Sequence, residues 1–109
     1  MLTTILLASA LSGTALVEEA DRRNLAYTEC LFAQVRAARE ARLPEEAMLA
    51  RLESECRTKR LALEEITLAV RRERGDSRAE AQANWDRVHG NSIEAVRRAY
   101  ALRLSEQQR

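Results

Sequence analysis

Two cysteines and one histidine are the side chains of this 109-residue chain best suited to chemistry. Cys30 and Cys56 lie 26 positions apart. A catalytic dithiol is normally close in sequence, as in Cys-x-x-Cys, where one helix turn holds the two sulfurs together. This pair has no such spacing, so it reads either as a structural disulfide or as two buried free thiols. His89 has Asp86 three residues before it, which on a helix puts two potential ligands on one face. A metal site needs three or four ligands, and there is no second histidine to supply one. His89 therefore reads as a residue at the edge of an apolar face. The acidic pairs Glu18-Glu19, Glu45-Glu46 and Glu64-Glu65 fit solvated faces and helix starts, and no glycine-rich phosphate loop is present. The expectation is a protein with no catalytic residues, no metal and no cofactor.

The elements that hold these residues are helices. Ala, Leu, Glu and Arg dominate, all strong helix formers. No period-two run of β-branched or aromatic residues suggests a strand. Three glycines and one proline leave few places for loops. Aromatic residues make up only 4% of the chain, so its core must rest on Leu, Ala, Val and Ile. With 18 basic against 17 acidic residues the net charge is +1, which argues against a nucleic acid or other polyanion as partner.

Pro44 sets the organisation. The residue before a proline is pushed out of helical geometry, so a first helix ends near Arg42. Proline is tolerated at the first helical position, and Glu45 and Glu46 suit the positive end of the helix dipole. A second helix then runs from Pro44 to about Arg74, where Arg71, Arg72 and Arg74 precede Gly75 as a stop. The same stop explains the tripeptide Arg74-Gly75-Asp76, and the dipole explains the arginines around it, Arg78 included. Ser77 and Glu80 are spaced as a capping box that opens a third helix. The predicted fold is all-α: an antiparallel hairpin of helices at about 16–42 and 44–74, with a third helix at about 78–106 packed on it as a small three-helix bundle.

The hairpin returns the argument to the cysteines. Cys30 lies as far before Leu43 as Cys56 lies after it, so both sit roughly 20 Å from the turn at 1.5 Å per residue. Leu49, Leu52, Cys56, Lys59, Leu63, Ile66 and Val70 step by three and four as one heptad seam, broken only by Lys59. Reflection through the turn gives Ala37, Gln34, Cys30, Tyr27, Arg23, Ala20 and Leu16 on the first helix, flanked by Leu31, Ala38 and Ala41. The two cysteines thus face each other, which favours a Cys30–Cys56 disulfide over free thiols. Arg23, Asn24, Gln34 and Lys59 on or near the seam read as register-setting groups or as contacts to a ligand between the helices.

On the third helix Ala81, Trp85, Val88, His89, Ile93, Val96, Ala99, Tyr100 and Leu104 share one face, and Gly90 either interrupts the helix or is carried through it. Leu25 and Phe32 on the first helix, with Leu61 and Leu68 on the second, form a further apolar strip off the main seam. The third helix is expected to cover this strip; left uncovered, Leu25, Phe32, Leu61 and Leu68 would form a partner-contact surface for another protein or a second copy.

Residues 1–17 carry no charge and are followed by Glu-Glu-Ala-Asp-Arg-Arg. Gly13-Thr14-Ala15 fits a small-x-small cleavage pattern, so residues 1–15 read as a signal peptide and 16–109 as a single helical domain. The segment lacks a basic start, and it is short of the ~20 residues that span a bilayer. An uncleaved anchor and the apolar first turn of a cytosolic helix are the alternatives. Periplasmic or secreted localisation follows from the first reading, with a non-catalytic binding or scaffolding role. A second functional reading starts from Leu43-Pro44-Glu45-Glu46-Ala47-Met48-Leu49-Ala50-Arg51-Leu52-Glu53. This helix opening resembles the Leu-Thr-x-x-Gln motif of small periplasmic holdase chaperones, over this one helix start. Neither its Thr nor its Gln is present, so no residue role is carried over. A cytoplasmic partner-binding helical protein with free thiols is the third.

Overall fold

A computed structural model describes residues 12–107. They form α1 (Gly13–Glu40), α2 (Glu45–Glu55), α3 (Arg57–Glu73) and α4 (Arg78–Gln107), packed against one another as an all-α bundle. The predicted signal-peptide span lies largely outside the described residues. Its last part does not: Ser12 caps α1 by accepting a hydrogen bond from the Ala15 amide at 3.2 Å, and Gly13, Thr14 and Ala15 are helical.

Both interhelical turns close in the same way. At the first, the Leu43 amide donates to the Ala38 carbonyl at 2.9 Å and the Arg42 amide to the Arg39 carbonyl at 3.0 Å. At the second, Asp76 donates to Arg71 at 3.1 Å and Gly75 to Arg72 at 3.0 Å. These paired bonds satisfy carbonyls that the helix end leaves free, and they need a left-handed residue at the pivot. Gly75 takes that conformation (φ 104°) without a Cβ clash; Arg42 takes it (φ 54°) with one. Pro44 then acts as N-cap of α2 rather than its first residue, so the helix begins one position later than predicted. Arg71 Nε binds Asp76 at 2.7 Å across the second turn, and Ser77 and Glu80 exchange the reciprocal capping-box bonds at 2.8 and 3.1 Å.

Three expectations are corrected. The second helix of the hairpin is not continuous from 44 to 74: it breaks at Cys56 (φ −106°, ψ 8°) into α2 and α3. No glycine or proline lies between Glu45 and Glu73, and helical hydrogen bonds run through the break: the Cys56 amide donates to the Leu52 carbonyl at 3.1 Å and the Arg60 amide to the Cys56 carbonyl at 2.9 Å. Beyond it the seam keeps its phase, with Leu63 and Ile66 buried, and only Lys59 departs from it. Lys59 is exposed, and Arg60 points inward instead, its side chain 18% accessible.

The second correction concerns the third helix. α4 does not cover the strip of Leu25, Phe32, Leu61 and Leu68. It docks through Ala81, Trp85 and Tyr100 into a core of Tyr27, Leu31, Ala38, Met48, Leu52, Cys56, Leu63 and Ile66. Leu31 and Ala38, expected to flank the α1 seam, are therefore buried in its centre. Val88 and Ala99, expected to face inward, are exposed. The third correction is at the base of the hairpin, which α4 also holds through polar contacts. Tyr100 donates its hydroxyl to the Leu43 carbonyl, and Arg97 Nη1 meets Glu45 Oε1 at 2.9 Å. Arg97 lies outside the apolar face expected to dock, yet it makes this contact. Gly90 lies within an unbroken α4, with open space where a Cβ would stand.

These backbone positions make opposite predictions for three substitutions. Arg42→Gly removes the left-handed strain and stabilises by about 0.5–1 kcal/mol. Gly90→Ala stabilises by about 1 kcal/mol, because an exposed helix interior favours alanine. Gly75→Ala destabilises by about 1 kcal/mol or more. Urea unfolding followed by circular dichroism measures all three signs.

Candidate functional site

The centre of the molecule is the joint between α1 and the α2–α3 break. Cys30 and Cys56 are joined there as a disulfide, with their Cα atoms 5.9 Å apart. Cys56 is buried in the core at 1% exposure, while Cys30 is half-buried against it. Two of the polar residues singled out on the α1 seam flank it and set the register. Arg23 Nη1 donates to the Ala62 carbonyl at 2.8 Å, while its Nε meets Glu19 Oε1 at 2.9 Å. Below the disulfide, Arg51 Nε donates to Gln34 Oε1 at 2.6 Å. Asn24 does not enter the hairpin interface and instead lines a cleft toward α4.

One helical turn from Cys30, Tyr27 carries the contact to the third helix. Its hydroxyl lies 2.9 Å from His89 Nε2, and the His89 ring stacks on Trp85, with centroids 5.0 Å apart and planes 7° from parallel. His89 is thus the hydrogen-bonded end of an aromatic stack. Asp86, its proposed companion as a metal ligand, points elsewhere and accepts from Gln82 at 3.0 Å. Among the described residues no group of three potential ligands comes together. Burial pushes the His89 pKa below its ordinary 6.5, and the nearby Arg60 guanidinium pushes the same way, against the opposing pull of Glu53, Glu64 and Asp86. Burial also raises the Tyr27 pKa.

Arg60 is the residue that sequence reasoning missed. It spans the break, reaching Glu53 on α2 at 3.1 Å and Glu64 on its own helix at 3.5 Å. The unbroken seam had pointed Lys59 inward, so nothing in the sequence pattern marked Arg60. The Tyr27–His89 bond was equally hidden, although each residue had been placed on an inward face.

Tyr27 and His89 also separate two clefts. One, of about 280 Å³, lies between α1 and α4 and is lined by Asn24, Thr28, Asn84, Trp85, Val88 and Ser92 among others. The other, of about 190 Å³, lies toward α2, against Leu49, Leu52, Glu53 and Ile93. The predicted partner-contact residues are divided. Leu25 and Phe32 stand 60% and 62% exposed on α1, and Leu61 is 46% exposed on α3. Leu68 turns in and packs against the core. Leu25 and Phe32, seven residues apart on α1, are the most exposed of the four.

No family model, curated protein or solved structure matches this chain.

Three predictions rest on this geometry. Replacing both cysteines by alanine costs about 3.5 kcal/mol by the chain-entropy model for a 26-residue span, read as a lower urea midpoint and checked against the reduced wild type. His89 makes stability pH-dependent. Its folded pKa lies below 6.5, so the unfolded chain binds the proton first as pH falls. Stability is full above 6.5 and declines below it, and His89→Gln flattens that slope. Glu94, held down to about 2 mainly by its hydrogen bond to Arg97, acts in a separate and more acidic window. Its contribution is present above the ordinary carboxylate range and lost as pH falls toward 2.

Proposed function

We propose that this chain is a small exported helical protein, stapled by its disulfide, with a non-catalytic binding or scaffolding role. The observation that carries this reading is the Cys30–Cys56 bond at the centre of the core. Disulfides persist in oxidising compartments and are rare in the cytosol. A bundle whose middle layer is built around one is suited to the periplasm or the exterior. The uncharged N-terminal segment, ending in small residues, adds the layout of a secretion signal. No helix among the described residues is long and apolar enough to cross a membrane.

The non-catalytic part rests on where the reactive groups are spent. Both thiols are consumed in the staple. The one imidazole is stacked and hydrogen-bonded inside the bundle. The surface offers instead long helix faces with Leu25 and Phe32 exposed, which suits recognition of another protein surface. That same exposure favours a holdase as the second reading, since such chaperones hold unfolded clients on apolar surface rimmed by charge.

Intact-mass analysis of the protein from its native host tests the compartment. The expected result is a mature chain starting at Leu16 with no alkylatable thiol; a full-length chain with two free thiols overturns export and leaves the cytoplasmic reading. Suppression of client aggregation by the purified protein would support the holdase, and absence of suppression at excess removes it.

A further inference from the structure

One face of α1 is left uncovered by the other helices, with Asp21 and Thr28 at its edge on the rim of the α1–α4 cleft. Glu18, Asp21, Leu25, Thr28, Phe32 and Arg36 succeed one another at steps of three and four, the spacing of a helix-pairing seam. Leu25 and Phe32, at its middle, are the most exposed large apolar side chains of α1. Glu18, Asp21 and Arg36 are exposed too, and none of them takes part in the ion pairs found among the described residues. The seam is therefore apolar in the centre, acidic toward the N-terminus and basic toward the C-terminus.

That polarity is self-complementary in one orientation. We propose that this face pairs with the same face of a second copy, α1 against α1 and antiparallel, to form a two-fold dimer. A two-fold axis near Thr28 and Glu29 sets Leu25 opposite Phe32 of the second copy, and Phe32 opposite its Leu25. The same axis brings Asp21 opposite the second copy's Arg36, twice over, with Glu18 just beyond. A parallel pairing would put Asp21 against Asp21 and Arg36 against Arg36, and like charges exclude it. An isologous interface of this kind closes on itself, so association stops at two. Glu29 meets its own counterpart near the axis, which is a cost the dimer carries. One helix-on-helix contact lies at the small end of specific interfaces, so the dissociation constant is on the order of micromolar.

The dimer deepens the protein-binding reading above by naming a partner for its α1 surface, and it is independent of the export reading. Sedimentation velocity of the purified oxidised protein over a concentration series tests it. The expected result is a reversible monomer–dimer equilibrium that weakens with salt. Leu25→Glu and Phe32→Glu each weaken the dimer by about 30-fold or more, as central contacts do. Both positions are solvent-exposed in the monomer, so the thermal midpoint of the dilute variants and their disulfide should match wild type. Asp21→Arg and Arg36→Asp each weaken it by several-fold, and the double variant recovers wild-type affinity, because the reversed charges again face each other. A protein that stays monomeric to its solubility limit overturns the proposal, and leaves the compartment reading to its own mass measurement. A dimer indifferent to Phe32→Glu overturns it as well. A dimer that breaks on Phe32→Glu while the double charge reversal fails to recover overturns the antiparallel arrangement.

Discussion

The covalent tie between Cys30 and Cys56 is the constraint on which the rest of the molecule depends. It joins the long first helix to the returning segment at one height, and that segment leaves helical geometry at the bonded residue itself. One helical turn further on, Arg60 rather than Lys59 faces the interior and spans α2 and α3 through Glu53 and Glu64. Arg60 in turn lies near Tyr27 and His89 and helps keep the imidazole neutral. The disulfide, the inward cation and the histidine thus lie in one connected layer of the bundle.

The bundle is long and thin, 66 × 26 × 19 Å, and its radius of gyration of 17.6 Å exceeds the ~13 Å of a compact domain of this length. A thin rod has a small apolar core for its length, and such domains draw on staples more than compact ones do. The third helix is accordingly held at three levels. The Ser77–Glu80 box fixes its start, the Trp85–His89 stack with Tyr27 fixes its middle, and Tyr100 with Arg97 ties its far part to the Leu43–Glu45 turn. Each level uses a directional polar contact where apolar area is short.

This economy also explains the shape of the functional reading. The two cysteines and the histidine are engaged in the architecture, while Leu25 and Phe32 stand exposed on α1 among charged groups. A protein built in this way presents surface. The self-complementary order of acid, apolar and base on α1 is the most specific feature that surface carries.

Much of this was readable one residue at a time. Pro44 and Gly75 marked the turns, Ser77 and Glu80 the third helix, and equal distances from Leu43 placed the cysteines side by side. Each of these is a local rule or a length, and helix rise is fixed by bonds four residues apart, so heights along a helix follow from the sequence alone. Which side of a helix ends up inside is a different matter. It depends on where the backbone bends and on what packs against it from far along the chain. Lys59 lies outside and Arg60 inside, although Leu63 and Ile66 keep the seam. Leu31 and Ala38 are buried in the core, α4 joins Tyr27 to His89, and Leu25 and Phe32 stay in solvent. The sequence determined the positions along each helix because local hydrogen bonds set them. Only the tertiary structure decided the faces, because rotation about a helix axis is chosen by contacts between distant parts of the chain.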